Sequence, residues 1–223
     1  MATVPSATRR FTEQLLPKLK SNASDLVLEL TVASGRCGQS EVAVAEKQKP
    51  VIEAQAPTDQ NEFVRLGQAV KALGLRLHVL RPSCEQYRGI ARAGEDAMLQ
   101  MLELIRNLTA ARVTELLAVA KGTPPSPPLV VTYGGAMHND LFPREGRESF
   151  SFGPELADKT KGRYVELDLI VREFISNSPA WQALPWYSKF DRTLWADQTL
   201  LLAAAPNSWV LVFARSKAPA AAN

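Results

Sequence analysis

Histidine and cysteine are scarce in this 223-residue chain, two of each. Two cysteines cannot make the disulfide framework that stands in for a core in small secreted domains. The chain has no GxGxxG, P-loop, GxSxG elbow, HExxH or CxxC pair. That removes Rossmann-type dinucleotide binding and Walker-type phosphate binding. Charge of one sign is also lacking: the net charge is only +3, and basic residues alternate with acidic ones without forming a stripe. Nucleic acid is therefore not an expected partner. No apolar h-region follows Met1, and the longest uncharged stretch, residues 198–214, is broken by "PNS" and reads as helix, turn and strand. No transmembrane segment is expected. The default compartment is the cytoplasm, or the cell envelope or periplasm if the gene begins upstream.

What is present suits one sizeable core: 46% apolar and 22% charged residues in a chain of this length. Helical spacing of Phe11, Leu15, Leu16 and Leu19 predicts a helix over residues 8–21. "DLVLELTVA" from Asp25 reads as a strand holding one carboxylate, Glu29. Residues 34–57 are polar and irregular and read as a long loop. Asp59 and Glu62 have capping-box spacing, Phe63, Leu66, Val70 and Leu73 follow at helical period, and Gly74 is the expected stop. "LRLHVL" is a second strand. One or two helices fill residues 85–121, closed by the stiff linker "TPPSPP". "LVVTY", "RYVELDLIV" and "SWVLVFAR" are further strands, and a frayed tail covers 218–223. The fold class is α/β, a mostly parallel sheet with helices on both faces, as one domain over residues 1–217 with a helical insertion at about 84–121.

Ligands of open parallel sheets sit beyond the carboxyl ends of the strands. Arg36 and Cys37 follow the first strand, Arg81 and Cys84 the second, His138 and Asp140 the "LVVTY" strand, and Glu166 and Asp168 share a face of the next. In "VVTYGGAMHND", Gly134 and Gly135 permit a sharp turn or a close approach, and the turn aims His138 at the crevice. There an imidazole serves as general base or metal ligand; the alternative is an ordinary loop histidine. His78, among leucine and valine, reads as a hydrogen-bonded structural residue. Glu29 is costly inside a strand unless paired or used, with a salt bridge to Arg81 as the alternative. Cys37 and Cys84 read as two thiols, as a disulfide, or as a Cys/Cys/His metal set with His138. Trp181, Trp186, Tyr187 and Trp195 cover the core or line a pocket.

The helix "RRFTEQLLPKL", the strand "DLVLEL" and "VVTYGGAMHND" together resemble the ChaN-like haem-binding lipoprotein family, related in pattern to erythromycin esterases and TraB/TIKI hydrolases. The resemblance runs from about Thr8 to Val171. Gly135-Ala136-Met137-His138 looks like that family's Gly-x-x-His, and Glu29 like its strand glutamate. The family pattern opens with a strand ending in Gly-Glu-x-His, and the seven residues "MATVPSA" are too few to supply it. A sheet without that strand would keep a groove of unpaired backbone, open to a partner strand or to residues 34–57.

The resemblance implies a small-molecule hydrolase, metal-assisted in one version, with His138 as base or metal ligand and Glu29 orienting it. Arg81, Tyr133, Asp140 and Asp168 are the expected ligand-binding residues. A haem or divalent-metal binding module without turnover is the other class of reading, and a scaffold that has lost half of its site is the third. A thiol nucleophile at Cys37 with His138 as its base is a weaker enzyme alternative. Self-association into a homo-oligomer is compatible with all of these.

Overall fold

The computed structural model describes residues 4–54, 57–120, 129–191, 193 and 197–216. The "TPPSPP" linker, Trp195 and the 218–223 tail lie outside these residues. The chain opens with α1 (Ala7–Arg10), widens to a π-helix over Phe11–Leu15, and resumes as α2 (Leu16–Leu19). Pro17 explains the widening, since it has no N–H for an i−4 bond and its ring would press on the preceding turn. The chain then enters β1 (Ala23–Thr31).

The expected loop at 34–57 is corrected: residues Gln39–Ala54 form α3, and α4 follows over Pro57–Ala72. The anchor of α3 is slight. Among its residues of described burial, Val44 is fully buried and packs with Tyr87, Ile90 and Met101, while Lys47 donates to the carbonyls of Ile90 and Ala91. The capping box is also corrected, because α4 begins before Asp59 and Glu62 instead accepts from the Ser6 hydroxyl. Gly74 does end the helix region, at φ +79°, with its N–H and that of Leu75 bonded back to Lys71 and Val70.

After β2 (Arg76–Leu80) come α5 (Cys84–Arg92) and α6 (Ala97–Ala120), then β3 (Leu129–Tyr133). These strands form one parallel sheet in the order β2-β1-β3. Alternation along β1 sends Leu26 and Leu28 to a face shared with Phe11, Leu16, Leu66 and Val70. Val27 points to the other, against Ala110 and Val113 of α6 with Phe152 and Leu156. Helices thus cover both faces, and α6 is a packed crossover helix.

The rest of the chain builds α7 (Ala136–Asn139), α8 (Gly153–Lys159), β4 (Glu166–Val171), α9 (Pro179–Gln182), β5 (Leu200–Ala205) and β6 (Ser208–Phe213). A second sheet has the order β4-β6-β5, with β4 parallel and β5 antiparallel to β6. Two corrections follow. The strands form two three-stranded sheets, and residues 200–205, read as helix, are a strand. Their "LLLAAA" composition favours helix, but a two-residue turn at Pro206-Asn207, Asn207 at φ 59°, folds them onto β6. Trp186, buried with Ile175, Val210 and Val212, is core, and Trp181 packs edge-on against it at 5.9 Å; both also line a large cavity beside β3 and β4.

At the amino end of the first sheet Asp25 is 1% exposed. Arg76 grips it through Nε and Nη2 at 2.8 and 2.7 Å, His78 Nε2 lies 2.7 Å away, and Ser24 donates at 2.5 Å. His78 is thus the structural histidine that its apolar neighbours implied. Burial alone would push the Asp25 carboxyl up; the hydrogen bonds from Arg76, Ser24 and His78 outweigh it and hold the group at about 2. A depressed folded value means stability that is present above the unfolded carboxylate range and lost as pH falls from about 4 toward 2. Asp25→Asn is expected to cost about 2 kcal/mol at pH 7. Urea midpoints of the two proteins should converge as the pH approaches 2; a gap independent of pH would refute the assignment.

Candidate functional site

The parallel strand β3 ends at Tyr133, and the chain turns through Gly134 and Gly135 into the single helical turn α7, which carries His138. Glu29, near the carboxyl end of neighbouring β1, reaches across to the same point. Its Oε2 lies 2.8 Å from His138 Nδ1 and accepts from the Gly135 N–H at 3.1 Å. The side chains of His138 and Glu29 are only 8% and 4% exposed. Gly134 makes the approach feasible. A β-carbon there would stand 2.5 Å from Glu29 Cγ and closer still to its carboxyl atoms. At Gly135, by contrast, a β-carbon meets nothing within 4 Å, and φ is −72°. The first glycine of the pair serves close approach, not backbone freedom.

The α7 turn is clamped from the start of α8. Phe152 N–H and the Ser151 hydroxyl both donate to the His138 carbonyl, at 2.8 and 3.1 Å. Ser151 also donates to the Asp140 carbonyl at 2.5 Å and accepts from Gly153 N–H at 3.0 Å. Tyr164 donates to the Asn139 carbonyl at 2.7 Å. Nothing in the sequence pointed to Ser151, Gly153 or Tyr164, because each acts through backbone groups that only the fold brings near.

With Nδ1–H donated to Glu29, the imidazole presents its lone pair on Nε2. Among the described residues neither His138 Nε2 nor Glu29 Oε1 has a hydrogen-bond partner, although both are buried. Buried polar atoms are rarely left so, and such exceptions mark reactive or ligand-facing groups.

The other expected residues divide. Glu29 meets His138, not Arg81, which is exposed at the end of β2. Asp140 turns back to accept from Phe142 N–H at 2.8 Å, a local turn bond. Tyr133 stacks on Phe11 at 4.5 Å and donates to Thr8 Oγ1 at 3.0 Å. Cys37 and Cys84 are joined in a disulfide with Cα atoms 5.0 Å apart. In that state neither sulfur is a thiolate, which corrects both the Cys/Cys/His metal set and the Cys37 nucleophile. Among the described residues no three His, Cys, Asp or Glu side chains are grouped to hold a metal ion.

A cavity of about 1340 Å³ is lined by residues of β3 and β4 and by Gly134, Ala136 and Asn139; neither Glu29 nor His138 is among its lining residues. Asp168 lines it, and burial, then the charges of Glu166 and Asp140, push its carboxyl up to about 7. The influence of Glu166 agrees with the shared face read from their spacing. Burial raises Glu166 as well, against the bonds from Leu141 N–H and Ser208. Tyr164 is raised by burial and by Glu166, Glu29, Asp140 and Asp168. The charges of four carboxyl groups therefore act on one phenol. No family model matches the chain, and no curated protein or solved structure matches it, so the Glu29–His138 site rests on its own geometry.

Proposed function

We propose that Glu29 and His138 form the general-base pair of a small-molecule hydrolase at the carboxyl edge of the first sheet. The supporting observation is the buried imidazole whose Nδ1 is held by a carboxylate while Nε2 has no partner. Nε2 takes a proton from the attacking water, and Glu29 fixes the tautomer and stabilises the imidazolium that forms. This is also the activity class that the ChaN-like resemblance implies. Asp168, which lines the adjoining cavity with its carboxyl pushed up to about 7, is the acid partner. The disulfide favours an oxidising compartment over the cytoplasm.

Hydrolysis of a panel of carboxylic and phosphoric esters tests the reading. His138→Ala and Glu29→Gln should each lower kcat/KM by about 100-fold or more. Turnover unchanged in both variants overturns it. The same Nε2 lone pair would also suit a haem iron, with His138 as the residue that would hold it. A Soret band on haem addition, abolished in His138→Ala, together with no ester turnover, would select the binding module. Indifference of both haem binding and turnover to His138 would leave the scaffold reading.

A further inference from the structure

The approach of Glu29 to His138 depends on an irregularity in β1. Pairing with β2 runs residue for residue as far as Leu28, opposite Val79, but the next residue of β2, Leu80, meets Thr31. Pairing with β3 also ends at Leu28, opposite Tyr133. Glu29 and Leu30 therefore form a bulge, with Leu30 exposed and the Glu29 side chain turned in and buried. Bulges beside functional sites re-aim a side chain in this way. A bulge lasts only while the strand beyond it stays fixed, since its slack otherwise lets that strand slip back into register. Here little fixes it. Thr31 pairs with Leu80, Val32 N–H donates to the Leu80 carbonyl at 3.1 Å, and residues 32–36 are then all exposed. The backbone N–H groups of Ser34, Arg36 and Cys37 make local bonds, to the side chains of Glu41 and Ser34. The α3 helix behind them has only the slight anchor of Val44 and Lys47. The covalent tie is the disulfide: Cys37 follows the end of β1, Cys84 follows the end of β2, and the bridge closes the two strand ends just past the bulge.

We propose that the Cys37–Cys84 disulfide is a redox latch on the Glu29–His138 pair, opened by a dithiol reductant and closed by reoxidation. Its consequence for turnover rests on the hydrolase reading; the movement of Glu29 does not. Cys37 is half-buried at the end of an exposed segment, within reach of a thiolate, and Cys84 is the first residue of α5, directly after the Ser83 cap. A thiolate leaving from the first turn of a helix is stabilised by the peptide N–H groups there. The reductant's thiolate attacks Cys37 Sγ, a mixed disulfide forms, the Cys37–Cys84 bond breaks, and Cys84 departs as thiolate. The reductant's second thiol then attacks its own sulfur in the mixed disulfide, which releases Cys37 and closes a disulfide within the reductant. Two electrons pass to the protein, and the two thiol protons of the reductant end on Cys37 and Cys84. With the latch open, only the Leu80 pairing and the anchor of α3 restrain the strand end. The bulge relaxes, and Glu29 Oε2 parts from both His138 Nδ1 and Gly135 N–H. The imidazole loses the group that fixes its tautomer. The pair is thus assembled in an oxidising compartment and apart in a dithiol-rich one.

Reduction of the folded chain with dithiothreitol, followed by nuclear magnetic resonance, tests the latch without reference to any activity. The oxidised protein should show the His138 Nδ1–H proton and a Gly135 amide protected by the same carboxylate. On reduction the Nδ1–H signal should vanish and Gly135 exchange should quicken by about 100-fold. The amide shifts of Leu26 and Val131, in the paired parts of β1 and β3, should stay in place, and reoxidation should restore the lost signals. Nδ1–H and Gly135 signals that ignore reduction overturn the proposal. Loss of the Leu26 and Val131 signals along with them overturns it too, because the disulfide is then a staple of the whole fold. The Cys37→Ser/Cys84→Ser double variant should resemble the reduced protein, and an Nδ1–H signal of the oxidised type in it is equally fatal. Because the parent is reduced in place, the decision does not depend on that variant folding. Ester turnover that falls about 100-fold on reduction and returns on reoxidation supports both readings. Absence of turnover in both states sinks the hydrolase alone, and the resonances still decide the latch.

Discussion

Gly153→Ala is expected to destabilise the protein by about 3 kcal/mol, at the upper end of overpacking costs. A β-carbon at this position would collide with the Asp140 carbonyl oxygen and stand 2.8 and 2.9 Å from the Asp140 carbonyl carbon and the Asn139 oxygen. All three are backbone atoms, so no rotamer change relieves the contact. They are also already in use. Asn139 O accepts from Tyr164, and Asp140 O from Ser151, whose hydroxyl also holds His138 O. Pushing the turn away from α8 therefore strains three hydrogen bonds and moves the backbone that aims His138. Urea denaturation gives the stability loss, and a shift of the His138 ring resonances should accompany it. A loss below about 1 kcal/mol would show that the turn yields freely and that α8 does not clamp it.

The fate of particular residues shows how far the sequence carries. Phe63, Leu66 and Val70 announced α4 through their period, and Gly74 announced its end, because a buried face and a positive φ leave direct marks on composition. The run "LVVTY" announced a strand, but not its burial: Leu129 is exposed and the other four residues are half-buried. Residues 39–54 left no such mark. Their helix leans on Val44, on Lys47 at the end of α5, and on a disulfide joining positions 47 apart in sequence. Those are tertiary contacts that a local pattern does not encode. The "LLLAAA" stretch misled in the opposite sense, since pairing with β6 overrode helix propensity. At the site, the cost of a carboxylate inside a strand singled out Glu29, and the glycine turn singled out His138. Their juxtaposition across 109 residues is a product of the parallel β1–β3 register. The split into two three-stranded sheets left no mark in the local sequence pattern.

Gly134→Ala should be the sharpest discriminator at the site, because it alters neither Glu29 nor His138. The new β-carbon claims the space of the Glu29 carboxyl group. A glutamate side chain is flexible, but this one is 4% exposed, and its Oε2 serves both His138 Nδ1 and the Gly135 N–H. Any movement that relieves the clash breaks both contacts and leaves a buried carboxylate and a buried imidazole apart. Breaking a buried pair costs about 3–5 kcal/mol, and partial escape of the carboxylate toward solvent should reduce this to about 3 kcal/mol. Ester turnover should fall as in Glu29→Gln. Gly135→Ala, one residue on, should cost under about 0.5 kcal/mol, since its β-carbon meets nothing and its φ suits any residue. The mechanism is isolated by a double-mutant cycle. With Glu29→Ala already in place, the collision partner is gone, and adding Gly134→Ala should cost almost nothing. If Gly134→Ala were as damaging in that background as in the parent, the glycine would be serving the backbone turn, and its role as the seat of the Glu29 carboxylate would be refuted.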